Sequence, residues 1–150
     1  MIHGIDTGFL VAAEVAEHED HPAARQALSR LLAAGDRIAV APQVIAEFIH
    51  VVTDSRRFVN PLGAHEARQV AAQWWTAREV DQVFPDAATM RQFLVWLEQF
   101  SLGRKRLLDT LLAATYQQAH IRSLLTTNAT EFTVFGIFRC ITPSTTAEPP

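Results

Sequence analysis

A single cysteine, Cys140, stands among 150 residues, so no internal disulfide framework exists and a reducing compartment is expected. The chain has no run of about 18 apolar residues, which argues against a membrane-spanning helix. Asp6 interrupts the segment MIHGIDTGFL before any long apolar stretch. No signal peptide is therefore expected, and a soluble cytoplasmic protein is. Positive charge is also short: 13 Lys and Arg against 16 Asp and Glu give a net charge of −3. That excludes a global basic footprint for nucleic acid. It leaves room for a nuclease, whose own site must be acidic if it holds metal ions. The chain has no Walker-type glycine loop, no G-x-S-x-G and no internal repeat. His18 and His21 flank acidic residues with no cysteine nearby, so no zinc spacing is present.

What the chain does have is 49% apolar residues, enough for a sizeable core and too many for a disordered chain. The length suits one domain, read over residues 1–143 with a loose tail over 144–150. The pattern predicts strands over residues 2–5, 37–41, 80–84 and 122–126, with a possible fifth over 138–141. Helices are predicted over residues 8–16, 42–52, 64–77, 87–100 and 107–120, and over an apolar-periodic run from Asp20, as N-cap with Pro22 behind it, to Gly35. SRRFVNPLG reads as a loop and SLGRKR as a basic turn. Strands that alternate with helices imply crossovers, hence an α/β fold with a parallel sheet of four to five strands and helices on both faces.

In such sheets functional groups gather beyond the carboxyl ends of the strands, where Asp6 lies. Capping of the next helix by Asp6 or Thr7 would account for these residues equally well. Three further acids sit beside apolar surface. Glu47 falls at the edge of the stripe Val44, Ile45, Phe48, Val51 and Val52. Asp109 falls at the edge of the stripe Leu107, Leu108, Leu111 and Leu112. Glu131 follows the fourth strand. Were the four to converge, each like-charged pair at about 4 Å would cost roughly 4 kcal/mol at an effective dielectric near 20. A fold tolerates that by protonating some acids or by binding cations. All-oxygen sites suit Mg²⁺ or Mn²⁺, which typically meet phosphate, so phosphodiester cleavage follows.

Four segments in order, IDTGFLVA, VIAEF, LLDTLLAAT and LLTTNATEF, resemble the PIN-domain ribonucleases, and within them the VapC-type toxins of bacterial toxin–antitoxin pairs. The loop RRFVNPLG is similar to that of a common VapC subtype. The resemblance covers residues 2–143. It implies a three-layer α/β/α PIN-like domain and a metal-dependent endoribonuclease. Asp6 and Asp109 would be the main ligands of Mg²⁺ or Mn²⁺. Glu47 would complete the site directly or through water, and Glu131 would match a variable fourth acid, one methylene longer than the usual Asp. Thr7 and Asn128 would hold the acids or a metal-bound water, and Thr126 would orient the turn. The implied partners are RNA, a VapB-like antitoxin and a second copy of the chain. Family members often carry a glycine before the last core strand; here the segment is QQAHIRSLL, which leaves that turn open.

Arg56, Arg57, Arg104, Lys105 and Arg106 form local clusters that suit RNA phosphates beside the acids, or equally a solvated loop. Of Trp74 and Trp75, one is expected in the core and the other toward a partner. Phe93, Trp96, Leu97 and Phe100 make a packing stripe, and His3, His50, His65 and His120 show no ligand spacing. Two other readings stand beside the nuclease. One is a phosphatase-like enzyme using Asp6, although no second Asp follows two residues on and no lysine lies near the fourth strand. The other is a non-catalytic interaction module on the same fold.

Overall fold

A computed structural model describes residues 1–145. The elements are β1 (Ile2–Ile5), α1 (Thr7–Glu14), α2 (His21–Ala33), β2 (Arg37–Val40), α3 (Pro42–Val52), α4 (Ala64–Thr76) and β3 (Val80–Gln82). They continue with α5 (Ala87–Gln99), a 3₁₀ turn (Arg104–Arg106), α6 (Leu107–Gln118), β4 (Ser123–Leu125), α7 (Thr130–Thr133) and β5 (Arg139–Ile141). The five strands are all parallel, in the order β3-β2-β1-β4-β5. From β1 the chain winds outward through β2 to β3, then crosses to β4 and winds the other way. Right-handed crossovers in the two directions put α1–α4 on one face and α5–α6 on the other. The direction reverses between β1 and β4, so a crevice opens where Ile5 and Leu125 end their strands side by side.

Local signals explain most helix ends. Pro22 and Pro42 lie in first turns, where a missing N–H costs nothing. Asp86 accepts from the Thr89 amide at 2.9 Å while Thr89 Oγ1 accepts from the Asp86 amide at 3.1 Å, a full capping box. Asp20 precedes α2 as expected but makes no side-chain cap bond. At their carboxyl ends α2, α5 and α6 close alike, with a left-handed residue whose successor bonds back into the helix. Gly35 (φ 85°) fills that position after α2, but Ser101 (φ 50°) and His120 (φ 60°) fill it after α5 and α6. The turn left open before β4 is thus made by His120, with Ile121 N–H donating to the Tyr116 carbonyl at 3.0 Å.

The core runs along the sheet through Ile5, Ile38, Val40, Leu124 and Leu125, with Phe9, Phe48, Tyr116 and Phe132 packed against it. Trp96 stacks on Phe135 at 4.5 Å, as the α5 stripe anticipates. Both Trp74 and Trp75 are half-buried; Trp74 Nε1 donates to Glu14 at 2.7 Å. His3 is buried between the Ser123 hydroxyl and the Asp36 carboxylate, whereas His50, His65 and His120 are exposed. The α6 stripe needs correction. Leu107 and Leu108 are 40% and 62% exposed, and burial begins at Thr110 and Leu112. The first turn of α6 overhangs the crevice at the strand ends, so only its later turns meet the core. From residue 146 the expected loose tail lies outside the described residues; Thr145 N–H closes a turn on the Thr142 carbonyl at 3.0 Å. No helix among the described residues is long and apolar enough to cross a membrane.

Candidate active site

Asp6 stands where β1 ends. Its amide donates to the Leu125 carbonyl at 3.0 Å, which keeps the outgoing chain joined to β4. Its Oδ1 accepts from Phe9 N–H at 2.8 Å and caps α1. Its Oδ2 accepts from the Thr126 hydroxyl, which in turn accepts from Asn128 N–H at 3.0 Å. Asp6 is therefore a helix cap, with its second oxygen held by Thr126. Thr7, on the first turn of α1, donates its hydroxyl to Glu47 Oε2 of α3 at 3.2 Å. Asp109, on the first turn of α6, closes the crevice from the opposite face. A cavity of about 60 Å³ is lined by Asp6, Thr7, Glu47 and Asp109, with Gly8 and Leu108 at its rim.

Glu131, on α7, comes near enough to Asp109 to help raise its carboxyl. The Asn128 side chain does not bond any of the four carboxylates; its Oδ1 accepts from the Thr130 hydroxyl at 2.8 Å, and its carbonyl accepts from Glu131 N–H at 3.3 Å. Arg106 is half-buried and donates from Nη2 to the Glu131 carbonyl, tying α7 to the start of α6. Arg56, Arg57, Arg104 and Lys105 are exposed.

Burial pushes the Asp6 carboxyl up to about 6, against the Thr126 hydroxyl and the Phe9 amide, which favour the charged form; the charges of Glu47 and Glu131 add to the rise. Burial also lifts Asp109 well above the usual carboxylate range, helped by the neighbouring Glu131 carboxyl and by the charge of Asp6, with Arg106 opposing. The site thus carries more negative charge than it can hold ionised.

Among the described residues no group of three or more His, Cys, Asp or Glu is arranged to hold a metal ion. The donor set fits a hard divalent ion in another way. Mg²⁺ keeps several waters and is usually held by one or two carboxylates. Asp6 and Asp109, whose carboxyls are both raised, would supply the ligands and gain from a cation's charge.

Reading the sequence did not single out Gly8 and Thr127. A Cβ at Gly8 would run into Thr127 Oγ1, so the α1 start and the loop after β4 meet closely there. The available signal was a glycine two residues past a strand-end aspartate, the residue for close backbone approach.

Residues 5–134 match the PIN domain family. The chain is 28% identical over 141 residues to Ribonuclease VapC24 of Mycobacterium tuberculosis, an alignment that spans 94% of this chain and 96% of that protein. Among solved structures it is similar to M. tuberculosis VapC20, described as a sarcin–ricin loop cleaving toxin, with a TM-score of 0.63 and 22% identity over 83% of this chain and 87% of that one. It is also similar to VapBC2 from Rickettsia felis bound to a DNA fragment from their promoter, with a TM-score of 0.66 and 18% identity over 95% and 98% of the two chains. These structures share its three-layer α/β/α arrangement.

Proposed function

The chain belongs to the PIN domain family, and on that premise we propose that it is a metal-dependent endoribonuclease, the toxin of a VapBC-type toxin–antitoxin pair. The observation that carries this reading is the cavity shared by Asp6, Glu47 and Asp109, acids brought from three separate elements to the reversal point of the sheet. The relationship to Ribonuclease VapC24 over nearly the whole chain supports the activity, and the likeness to VapBC2 supports an antitoxin partner. A second copy of this chain is the other expected partner. Met90, Leu94 and Val95 of α5 are exposed and offer apolar surface for such contacts.

Asp6 and Asp109 would hold Mg²⁺ or Mn²⁺, with Glu47 joining directly or through water and Glu131 acting through Asp109. The ion, when bound, lowers the pKa of water for attack on phosphorus and offsets the charge that develops on the phosphate. The protein's own groups set the geometry. Thr126 fixes the orientation of Asp6, Thr7 holds Glu47 toward the cavity, and Arg106 anchors the turn that carries Glu131. The phosphatase-like reading needs an acid two residues after Asp6; that position is Gly8, where a side chain meets Thr127.

The test is cleavage of total RNA from matched cells by antitoxin-free protein, with Mg²⁺, with Mn²⁺ and with EDTA, beside Asp6→Asn and Asp109→Asn. Metal-dependent cutting should fall at least a hundredfold in each variant. Cutting that persists in EDTA, or in both variants, would overturn the assignment. Intact RNA with well-folded protein would favour the interaction module.

A further inference from the structure

A groove of about 480 Å³ begins where the acidic cavity ends, since Thr7, Gly8 and Glu47 line both. Its floor is buried Val11 and Val51. Two loops make its walls. The α3–α4 connection brings Arg57 and Phe58, and the α1–α2 connection brings His18.

These walls are fastened to each other. The Glu17 carboxylate accepts from Val59 N–H and Asn60 N–H, each at 3.2 Å, and so ties the first loop to the second. The first loop is also folded on itself: Asp54 accepts from Arg56 N–H at 2.9 Å through its side chain and from Phe58 N–H at 3.2 Å through its carbonyl. A ligand here meets a preformed surface and spends little on ordering it.

The lining is mixed in a specific way. Phe58 is half-buried and supplies an aromatic ring. The Arg57 guanidinium lies 3.6 Å from Asp54 and is 59% exposed; an exposed ion pair of that kind contributes little, so the cation can turn to a phosphate. His18 Nδ1 accepts from Asp20 N–H at 3.0 Å, which places the ring proton on Nε2 as a donor. An aromatic face, a guanidinium and a ring donor beside an acidic cavity match a nucleotide: base, phosphate and sugar hydroxyl. The acids repel the backbone, and the Arg57 guanidinium of the groove lies next to them to draw it in.

We propose that this groove seats the nucleotide adjoining the scissile phosphate, its base against Phe58 and its outer phosphate on Arg57. The inference rests on the reading of the acidic cavity as a ribonuclease site.

The experiment measures binding apart from cleavage. A labelled, random-sequence, single-stranded oligoribonucleotide is titrated by fluorescence anisotropy in EDTA, beside the same sequence as a duplex. Cleavage in Mg²⁺ is followed in parallel, and each variant is melted to show that it folds. The wild type should prefer the single strand. Phe58→Ala should weaken binding about five- to a hundredfold, the range seen when a base loses its stacking partner, and Phe58→Trp should restore it. Arg57→Gln, at an exposed position, should weaken binding and reduce the slope of log affinity against log salt by about 0.7, one phosphate's worth on a single strand. Arg91→Gln, outside the groove, should change neither. Wild-type binding by both Phe58→Ala and Arg57→Gln, in a protein that cleaves RNA, would overturn the groove and leave the ribonuclease standing. A wild type that neither binds nor cleaves RNA would remove both. Variants that bind RNA normally but release a co-expressed antitoxin would assign the groove to protein and overturn the inference as well.

Discussion

Removing the charge of Asp6 separates what this residue does for the fold from the part proposed for it in the reaction. Its carboxyl sits at about 6 in the folded chain, against about 4 for an ordinary aspartate. The folded state therefore favours the proton. Stability from this group is full below pH about 4 and is lost as pH rises through 6, by roughly 3 kcal/mol at most. Asn at position 6 keeps an oxygen for the Phe9 amide but carries no charge. In EDTA at pH 7, Asp6→Asn should be more stable than the parent by about 1–3 kcal/mol in urea unfolding, and the gap should close near pH 4. A variant less stable at pH 7 would show that the charge is not strained there. The residue was legible because a charge at the end of an apolar strand has few explanations, and Glu47 as an acid at the edge of a stripe; Asp109 was picked out from a stripe whose first turn proves exposed. The Thr126 hydroxyl on Asp6 and the contact of Gly8 with Thr127 were not, because both depend on the path of the loop after β4.

At the scale of elements, α6 does two jobs, and Tyr116 links them. Its hydroxyl donates toward the Ile5 carbonyl at 2.6 Å, lies 3.1 Å from the Ala39 carbonyl, and accepts from Ile5 N–H at 3.2 Å. It thus satisfies the backbone where β1 and β2 end, just before Asp6. The ring reaches that point only because residue 4 is glycine: a Cβ there would lie 2.8 Å from it. Tyr116→Phe keeps the packing and strands these buried groups, which should cost about 1–3 kcal/mol in urea unfolding. A neutral result would mean that water replaces the hydroxyl. The alternation of strands and helices made the sheet readable, and proline and Asp86 marked helix starts. The four-residue α7 was missed because so short an element has no period to read. The α6 stripe was misplaced because periodicity locates a face but cannot tell which turn overhangs the sheet. His120 shows the same limit: the carboxyl end of α6 takes a left-handed residue without glycine to announce it.

For the whole molecule, the site exists only when the chain is folded. Asp6 ends β1, Glu47 lies on α3, Asp109 on α6 and Glu131 on α7, and tertiary structure alone brings them together. Their mutual repulsion is therefore a load on the global equilibrium, and a ligand that relieves it must stabilise the entire domain. An ion that binds the folded chain and not the unfolded one adds about 2.7 kcal/mol at a hundred times its Kd. For a chain of this length that raises Tm by roughly 5–10 °C. Mg²⁺ or Mn²⁺ added to EDTA-stripped protein at pH 7 should produce such a rise. Sodium chloride at matched ionic strength should not, since screening acts weakly on buried groups. Asp6→Asn and Asp109→Asn, which relieve the repulsion without an ion, should start from a higher Tm and gain little from the metal. Equal gains in the variants and the parent would place the ion elsewhere on the molecule and detach the metal from this cluster of acids.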